Sequence, residues 1–360
     1  MIFMNRRPVA SAPQATDTMP ATYLPGALLN AWSRKPAVNL YPETPARRSR
    51  LSVPGGHTLQ LYEWGDPQGQ PALLLHGGPG SGLSPTLARC FDPQRYRIIG
   101  LDQRGAGLST PSGGTAHNGS ADLLADLRQL RAQLHIARWL VVGGSWGATL
   151  ALLHAANEPA AVTGLLLRGV FLARQQDVDD FFAAAPPGFG DAWQPWREAA
   201  AHAGRPWVEQ LDHWMQHGTP AEQAALAQVW WRFEQAMDGT APTQAPDAAS
   251  LLPRYRVQAH YLRHGCGLCD LPLLQRLAAL PRVPTLLLHG EHDHICPLAG
   301  AVAVLAGLPH AQLRRIAHAG HAPTHPALAA AMVQALDNFA AHGRFEVAGP
   351  ANPAAAAGSA

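Results

Sequence analysis

Gly143-Gly144-Ser145-Trp146-Gly147 is the stretch whose reading decides the fold. It has the G-x-S-x-G form of a nucleophile elbow, a sharp strand-to-helix turn that lifts a serine hydroxyl above a sheet edge. The apolar run Trp139-Leu140-Val141-Val142 precedes it, and Ala148-Thr149-Leu150-Ala151-Leu152-Leu153 follows. These read as a buried strand and a buried helix, the two flanks such an elbow needs. The outer glycines are required because a side chain at either would crowd the turn. Five residues of this form recur by chance; the strand–turn–helix setting is what points to a catalytic serine.

Working outward, short apolar runs alternate with longer amphipathic segments. Strands are expected near residues 58–64, 72–75, 97–101, 140–142 and 164–167, and helices near 120–135 and 146–157. Ser120 is placed to cap the first helix, with Asp122 in its first turn. Further on, 284–289 and 312–316 read as strands and 326–341 as a closing helix. This alternation implies an α/β class fold, a mostly parallel sheet with helices on both faces. Over residues 176–280 the strand-like runs vanish. Trp193, Trp196, Trp207, Trp214, Trp230 and Trp231 crowd into helical segments, one of which opens at Thr219-Pro220 and runs over 220–237. The expected organisation is a loosely ordered segment 1–44, a core of 45–175 and 281–345, a helical cap of 176–280 and a disordered tail of 346–360. Most of the cap tryptophans are expected to be packing residues, with one or two on a pocket.

The chain has 360 residues, of which 47% are hydrophobic and 14% charged, with a formal net charge of +2. That supplies a large core and no basic surface for nucleic acid. No apolar run approaches the roughly eighteen residues of a membrane span, and Arg6-Arg7 lacks the apolar stretch of a secretory signal. Scattered cysteines fit a reducing cytoplasmic setting. Cys266-Gly267-Leu268-Cys269 is a lone C-x-x-C near His260 and His264, short of a second ligand pair for zinc.

A serine hydroxyl needs a base within hydrogen-bond reach and an acid to orient that base. Ala319-Gly320-His321 follows the last strand, and Glu291-His292-Asp293 follows the one before it. The order Ser145, Asp293, His321 is the one this kind of elbow requires. Glu291 competes for the acid, and His318 and His325 for the base; the small residues before His321 suit a tight loop. Oxyanion donors are expected from the Trp146 N–H and from Gly78 in His76-Gly77-Gly78-Pro79-Gly80.

Together with Asp102-Gln103-Arg104-Gly105-Ala106-Gly107-Leu108-Ser109, Leu167-Arg168-Gly169-Val170-Phe171 and Ile295-Cys296-Pro297, these motifs resemble the prolyl aminopeptidases (proline iminopeptidases) of the α/β-hydrolase fold over roughly residues 45–342. The resemblance implies a serine exopeptidase releasing an N-terminal residue, usually proline, from a peptide or small amide with a free N-terminus. It implies no metal or organic cofactor. It also implies that Asp102 and Arg104 brace the site. Cys296, three residues after the proposed acid, is expected near the pocket, and a cysteine there is not evidence of a thiol mechanism. Trp230-Trp231-Arg232-Phe233-Glu234 matches the family's W-x-x-W-E with Phe for the second Trp, which makes Glu234 the expected anchor for the substrate amine. The family's Arg-Ile-Glu-x-His-Tyr-Phe is here Arg256-Val257-Gln258-Ala259-His260-Tyr261-Leu262. Gln258 keeps an acceptor but no charge, and Leu262 loosens the slot; Phe171, Tyr261 and Trp146 are its expected walls. The two departures motivate a rival, an esterase, amidase or biosynthetic deacylase on the same scaffold. A rival of another class is a non-catalytic ligand-binding protein that kept the fold.

Overall fold

The computed structural model describes residues 40–186, 189, 192–239, 246–268 and 271–345. Cys269, residues 1–39 of the expected N-terminal segment and the tail 346–360 lie outside the described residues. Eight strands form one sheet: β1 (Arg47–Val53), β2 (His57–Gly65), β3 (Gln70–Leu75), β4 (Tyr96–Leu101), β5 (Trp139–Gly144), β6 (Val162–Arg168), β7 (Thr285–Gly290) and β8 (Gln312–Ile316). Their spatial order is β1-β2-β4-β3-β5-β6-β7-β8. The pairs β1–β2 and β2–β4 are antiparallel, and every pair from β4–β3 to β7–β8 is parallel.

The parallel strands at the centre are covered on both faces, which is why their sequences run apolar without alternation. All of β7 is buried, as is β5 up to Gly143. On one face sit α2 (Ser120–Gln133), α3 (Trp146–Asn157) and α10 (Leu298–Gly307); on the other, α1 (Pro85–Ala88) and α11 (Pro326–His342). Gly164 on β6 is needed for α11 to approach, since a Cβ there would lie 2.5 Å from the Phe339 ring. Every residue of α3 from Trp146 to Ala155 is buried, so this helix is apolar all round rather than amphipathic.

Between β6 and β7 the chain forms α4 (Gln175–Ala183), α5 (Gln194–His202), α6 (Trp207–His217), α7 (Pro220–Met237), α8 (Ala248–Arg263) and the short α9 (Leu273–Arg276). The entry to α7 is as read from the sequence. The Thr219 hydroxyl accepts from Glu222 N–H at 3.3 Å, and the Glu222 carboxylate accepts from Thr219 N–H at 2.8 Å. Phe182 is the hub of an aromatic cluster, with ring centroids 5.9 Å from Trp193, 5.9 Å from Trp207 and 5.3 Å from Trp230. All six tryptophans of this region pack within the helices, and none lines the cavity described below.

One cap differs from expectation. Gly119, not Ser120, is the N-cap of α2, and Asp122 accepts its N–H at 3.0 Å. Ser120 is already helical and donates its hydroxyl to the Cys266 carbonyl. That contact ties α2 to the segment after α8.

Candidate active site

The parallel strands end at one edge of the sheet, and the site is assembled from the loops that leave those ends. β3 delivers His76–Gly80, β5 delivers Ser145, β6 delivers Phe171, β7 delivers Asp293 and β8 delivers His321. Strand register aligns them: Leu75 pairs with Gly143, Gly144 with Arg168, and Arg168 with Leu288.

Ser145 has φ +57° and ψ −125°, a left-handed conformation that costs a non-glycine residue on the order of 1–3 kcal/mol. The turn is held because Ser145 N–H donates to the Arg168 carbonyl at 2.9 Å and the Ser145 carbonyl accepts from Ala148 N–H at 2.9 Å. Its neighbours must be glycine. A Cβ on Gly143 would collide with the Gly147 carbonyl, one on Gly147 with the Leu75 carbonyl, and one on Gly144 with the Arg168 guanidinium.

His321 Nδ1 and Asp293 Oδ2 are 2.8 Å apart. The other oxygen of Asp293 accepts from Ile295 N–H at 3.0 Å and Cys296 N–H at 2.8 Å. Burial pushes the Asp293 carboxyl up, but the charge and hydrogen bond of His321, the Cys296 N–H and His289 outweigh it and hold the group below its ordinary value. Ser145 and His321 share one cavity of about 290 Å³. In this conformer the Ser145 hydroxyl faces the Cys296 thiol at 3.8 Å and makes no hydrogen bond to His321. Cys296 is fully buried, and desolvation raises its pKa well above the ordinary thiol value, which leaves it a neutral thiol rather than a thiolate nucleophile. Of the competing residues, Glu291 is engaged with Arg315 at 2.9 Å, while His318 and His325 are not on the cavity wall.

The Gly78 and Trp146 N–H groups have no acceptor among the described residues. The orientation of the Gly78 N–H follows from His76. Gln103 N–H donates to His76 Nε2 at 2.9 Å, so the proton sits on Nδ1, which donates to the Gly77 carbonyl at 2.9 Å. In a trans peptide the carbonyl and the next N–H are antiparallel, so the Gly78 N–H points away from His76. Burial lowers the His76 pKa and keeps the ring neutral in this role.

The Asp102–Ser109 loop braces this arrangement. Asp102 accepts from Leu83 N–H at 2.7 Å, Leu108 N–H at 2.8 Å and the Tyr62 hydroxyl at 2.9 Å. Gln103 also donates to the His76 carbonyl and accepts from Trp146 Nε1, both at 2.9 Å. Arg104 makes a buried two-pronged pair with Asp126, both bonds 2.7 Å.

Phe171, Leu262, Glu234 and Gln258 line the cavity. Tyr261 and the Trp146 ring do not. Tyr261 donates its hydroxyl to Asn118 at 2.9 Å and packs edge-on against Trp146 with centroids 5.0 Å apart. The expectation that both are walls is therefore corrected: helical spacing on α8 turns Gln258 and Leu262, four residues apart, to the cavity and Tyr261 behind them. Glu234 is 7% exposed and its carboxylate is already occupied. It accepts from Gln258 Nε2 at 3.0 Å, from the Tyr255 hydroxyl at 3.0 Å and from the Arg254 guanidinium.

Two positioning residues were not read from the sequence. Asp238, just past α7, accepts from His321 N–H at 2.8 Å and Ala322 N–H at 2.9 Å. Arg168 donates to the His321 carbonyl from below. Arg168 stands in the motif at residues 167–171 with no role attached to it there, and nothing local to Asp238 marks it as holding a loop more than eighty residues away. Among the described residues no cluster of three or more potential metal-ligating side chains is present, and no helix is long and apolar enough to cross a membrane.

The α/β hydrolase fold family model matches residues 70–325. Bromoperoxidase from Bacillus anthracis superposes with a TM-score of 0.53 at 16% identity, over 78% of this chain and 95% of that one. The chain is thus an α/β hydrolase with serine at its elbow. The proline iminopeptidase of Xanthomonas citri is 37% identical over 311 residues, 84% of this chain and 99% of the relative. That of Arabidopsis thaliana is 35% identical over 309 residues, 83% and 81% of the two chains. Within the α/β hydrolases, the chain belongs to the proline iminopeptidase family.

Proposed function

We propose that this enzyme is a serine exopeptidase that releases an N-terminal proline from peptides through an acyl-enzyme. The observation that carries the reading is one cavity lined by Ser145, by His321 in its pair with Asp293, and by the Glu234 carboxylate. The first two supply acyl-transfer chemistry, and the third restricts it to a chain end.

Rotation about the Ser145 Cα–Cβ bond turns the hydroxyl from Cys296 toward His321 Nε2, which takes the proton as Oγ attacks the scissile carbonyl. Asp293, bonded to Nδ1, fixes the tautomer and stabilises the imidazolium. The unpartnered Gly78 and Trp146 N–H groups receive the oxyanion. His321 then protonates the departing peptide nitrogen, and water, deprotonated by the same ring, clears the prolyl ester from Ser145. The helices of 176–280 act as a cap that closes the far side of the proline slot; Phe171 and Leu262 bound the ring. Cys90 and Cys296 are free and buried, in keeping with a cytoplasmic enzyme.

Prolyl arylamide and its N-acetyl derivative test the reading. The expected result is turnover of the free amine at least tenfold faster in kcat/KM. Equal or faster cleavage of the blocked compound would instead mark an acyl hydrolase without amine recognition.

A further inference from the structure

The subsite expected to take the substrate's ammonium already holds a cation. The Arg254 guanidinium bonds the Glu234 carboxylate directly, on the wall of the same cavity that contains Ser145. Arg254 lies on α8 four residues before Gln258, so both reach Glu234 from one helix face. The pair sums to zero charge, and Gln258 adds none. The amide orientation of Gln258 is fixed by chemistry. A carboxylate only accepts, so Nε2 must face Glu234. Its Oε1 is therefore left buried without a partner in a residue that is 6% exposed. A buried acceptor of that kind is costly to leave unpaired and is satisfied by an incoming N–H.

We propose that Arg254 is a built-in competitor for the amine subsite. The substrate's α-nitrogen docks on Gln258 Oε1 and gains the Glu234 charge only as Arg254 gives it up. Arg254 is thereby a specificity-determining residue that weakens the preference of this enzyme for charged amines. The inference rests on the aminopeptidase reading above.

The test uses prolinamide, a protonated amine, and neutral N-acetylprolinamide, titrated calorimetrically into Ser145→Ala protein with and without Arg254→Met. Removing the competing cation is expected to tighten prolinamide about tenfold, the loss of one charge-assisted contact, and to leave N-acetylprolinamide unchanged. Arg254→Lys, which keeps a cation, is expected to gain less than Arg254→Met. In the enzyme with Ser145 intact, Arg254→Met is expected to lower KM for prolyl arylamide with a smaller change in kcat. Arg254→Gln replaces the Met variant if the latter lacks a cooperative thermal transition.

Unchanged or weaker prolinamide binding in a folded neutral variant overturns the proposal, because Arg254 would then be holding Glu234 in place for the amine. Equal changes in the Met and Lys variants overturn it in favour of a packing role. Prolinamide binding to neither the parent nor the variants counts against the aminopeptidase reading itself, and the proposal falls with it.

Discussion

Asp293 uses both carboxylate oxygens, one on His321 and one on the backbone of Ile295 and Cys296, so its replacement affects orientation and charge together. Asp293→Asn is expected to lower kcat by about 10⁴, through the wrong imidazole tautomer; steady-state rates on prolyl arylamide check it. The same residue sets a pH dependence of stability. Its folded pKa lies below its ordinary value of 3.8, so its stabilising contribution is fully present above the unfolded pKa and is lost as pH falls through the folded one. The stability difference between wild type and Asp293→Asn, read from urea unfolding, should be constant from about pH 5 to 7 and shrink below about pH 4. A difference that grows as the pH falls would reverse the sign. That Ser145, His321, Gly78 and Glu234 would meet at one cavity, with Asp293 bonded to His321, was legible at this scale because motif form and chain order constrain them. Tyr261 was misread because sequence spacing alone does not say which of two adjacent helix faces meets the cavity. Arg254 was invisible because its partner is twenty residues away on another helix.

Helix α7 joins the two halves of the proposed site. Glu234 faces the cavity, and Asp238, four residues on and just past the helix end, holds the backbone of His321 and Ala322. Asp238→Ala removes two charge-assisted hydrogen bonds to that loop. We expect kcat to fall by roughly tenfold to a hundredfold with little change in KM, a loss of positioning rather than of binding. A rise in KM at constant kcat would contradict that assignment. At the elbow, Gly147→Ala drives a Cβ into the Leu75 carbonyl and should cost about 1–3 kcal/mol of stability, measurable by chemical denaturation. The apolar elements β5, α3 and β7 were readable because they are buried on every side. The edge strand β1 was not expected, because Arg47-Arg48-Ser49-Arg50 is exposed and charged and carries no apolar signal. Arginines on such an edge also discourage pairing with another sheet.

Across the whole molecule, loops separated by more than two hundred residues, from His76 to His321, meet because parallel strands in register end at one edge. The mostly parallel architecture was legible from the alternation of strand and helix, and the fold family follows from the elbow within it. The internal arrangement of the helices over 176–280 was not, since aromatic-rich helical segments state that they pack but not against what. At the scale of the molecule, the proposed function requires that this edge activate Ser145 for attack on an N-terminal prolyl carbonyl. Turnover of prolyl arylamide by Ser145→Ala protein, with the thermal transition confirming its fold, measures that directly. A loss of roughly 10⁴–10⁶ in kcat is expected; a folded variant that keeps a tenth of the wild-type rate would contradict the role of Ser145 as nucleophile.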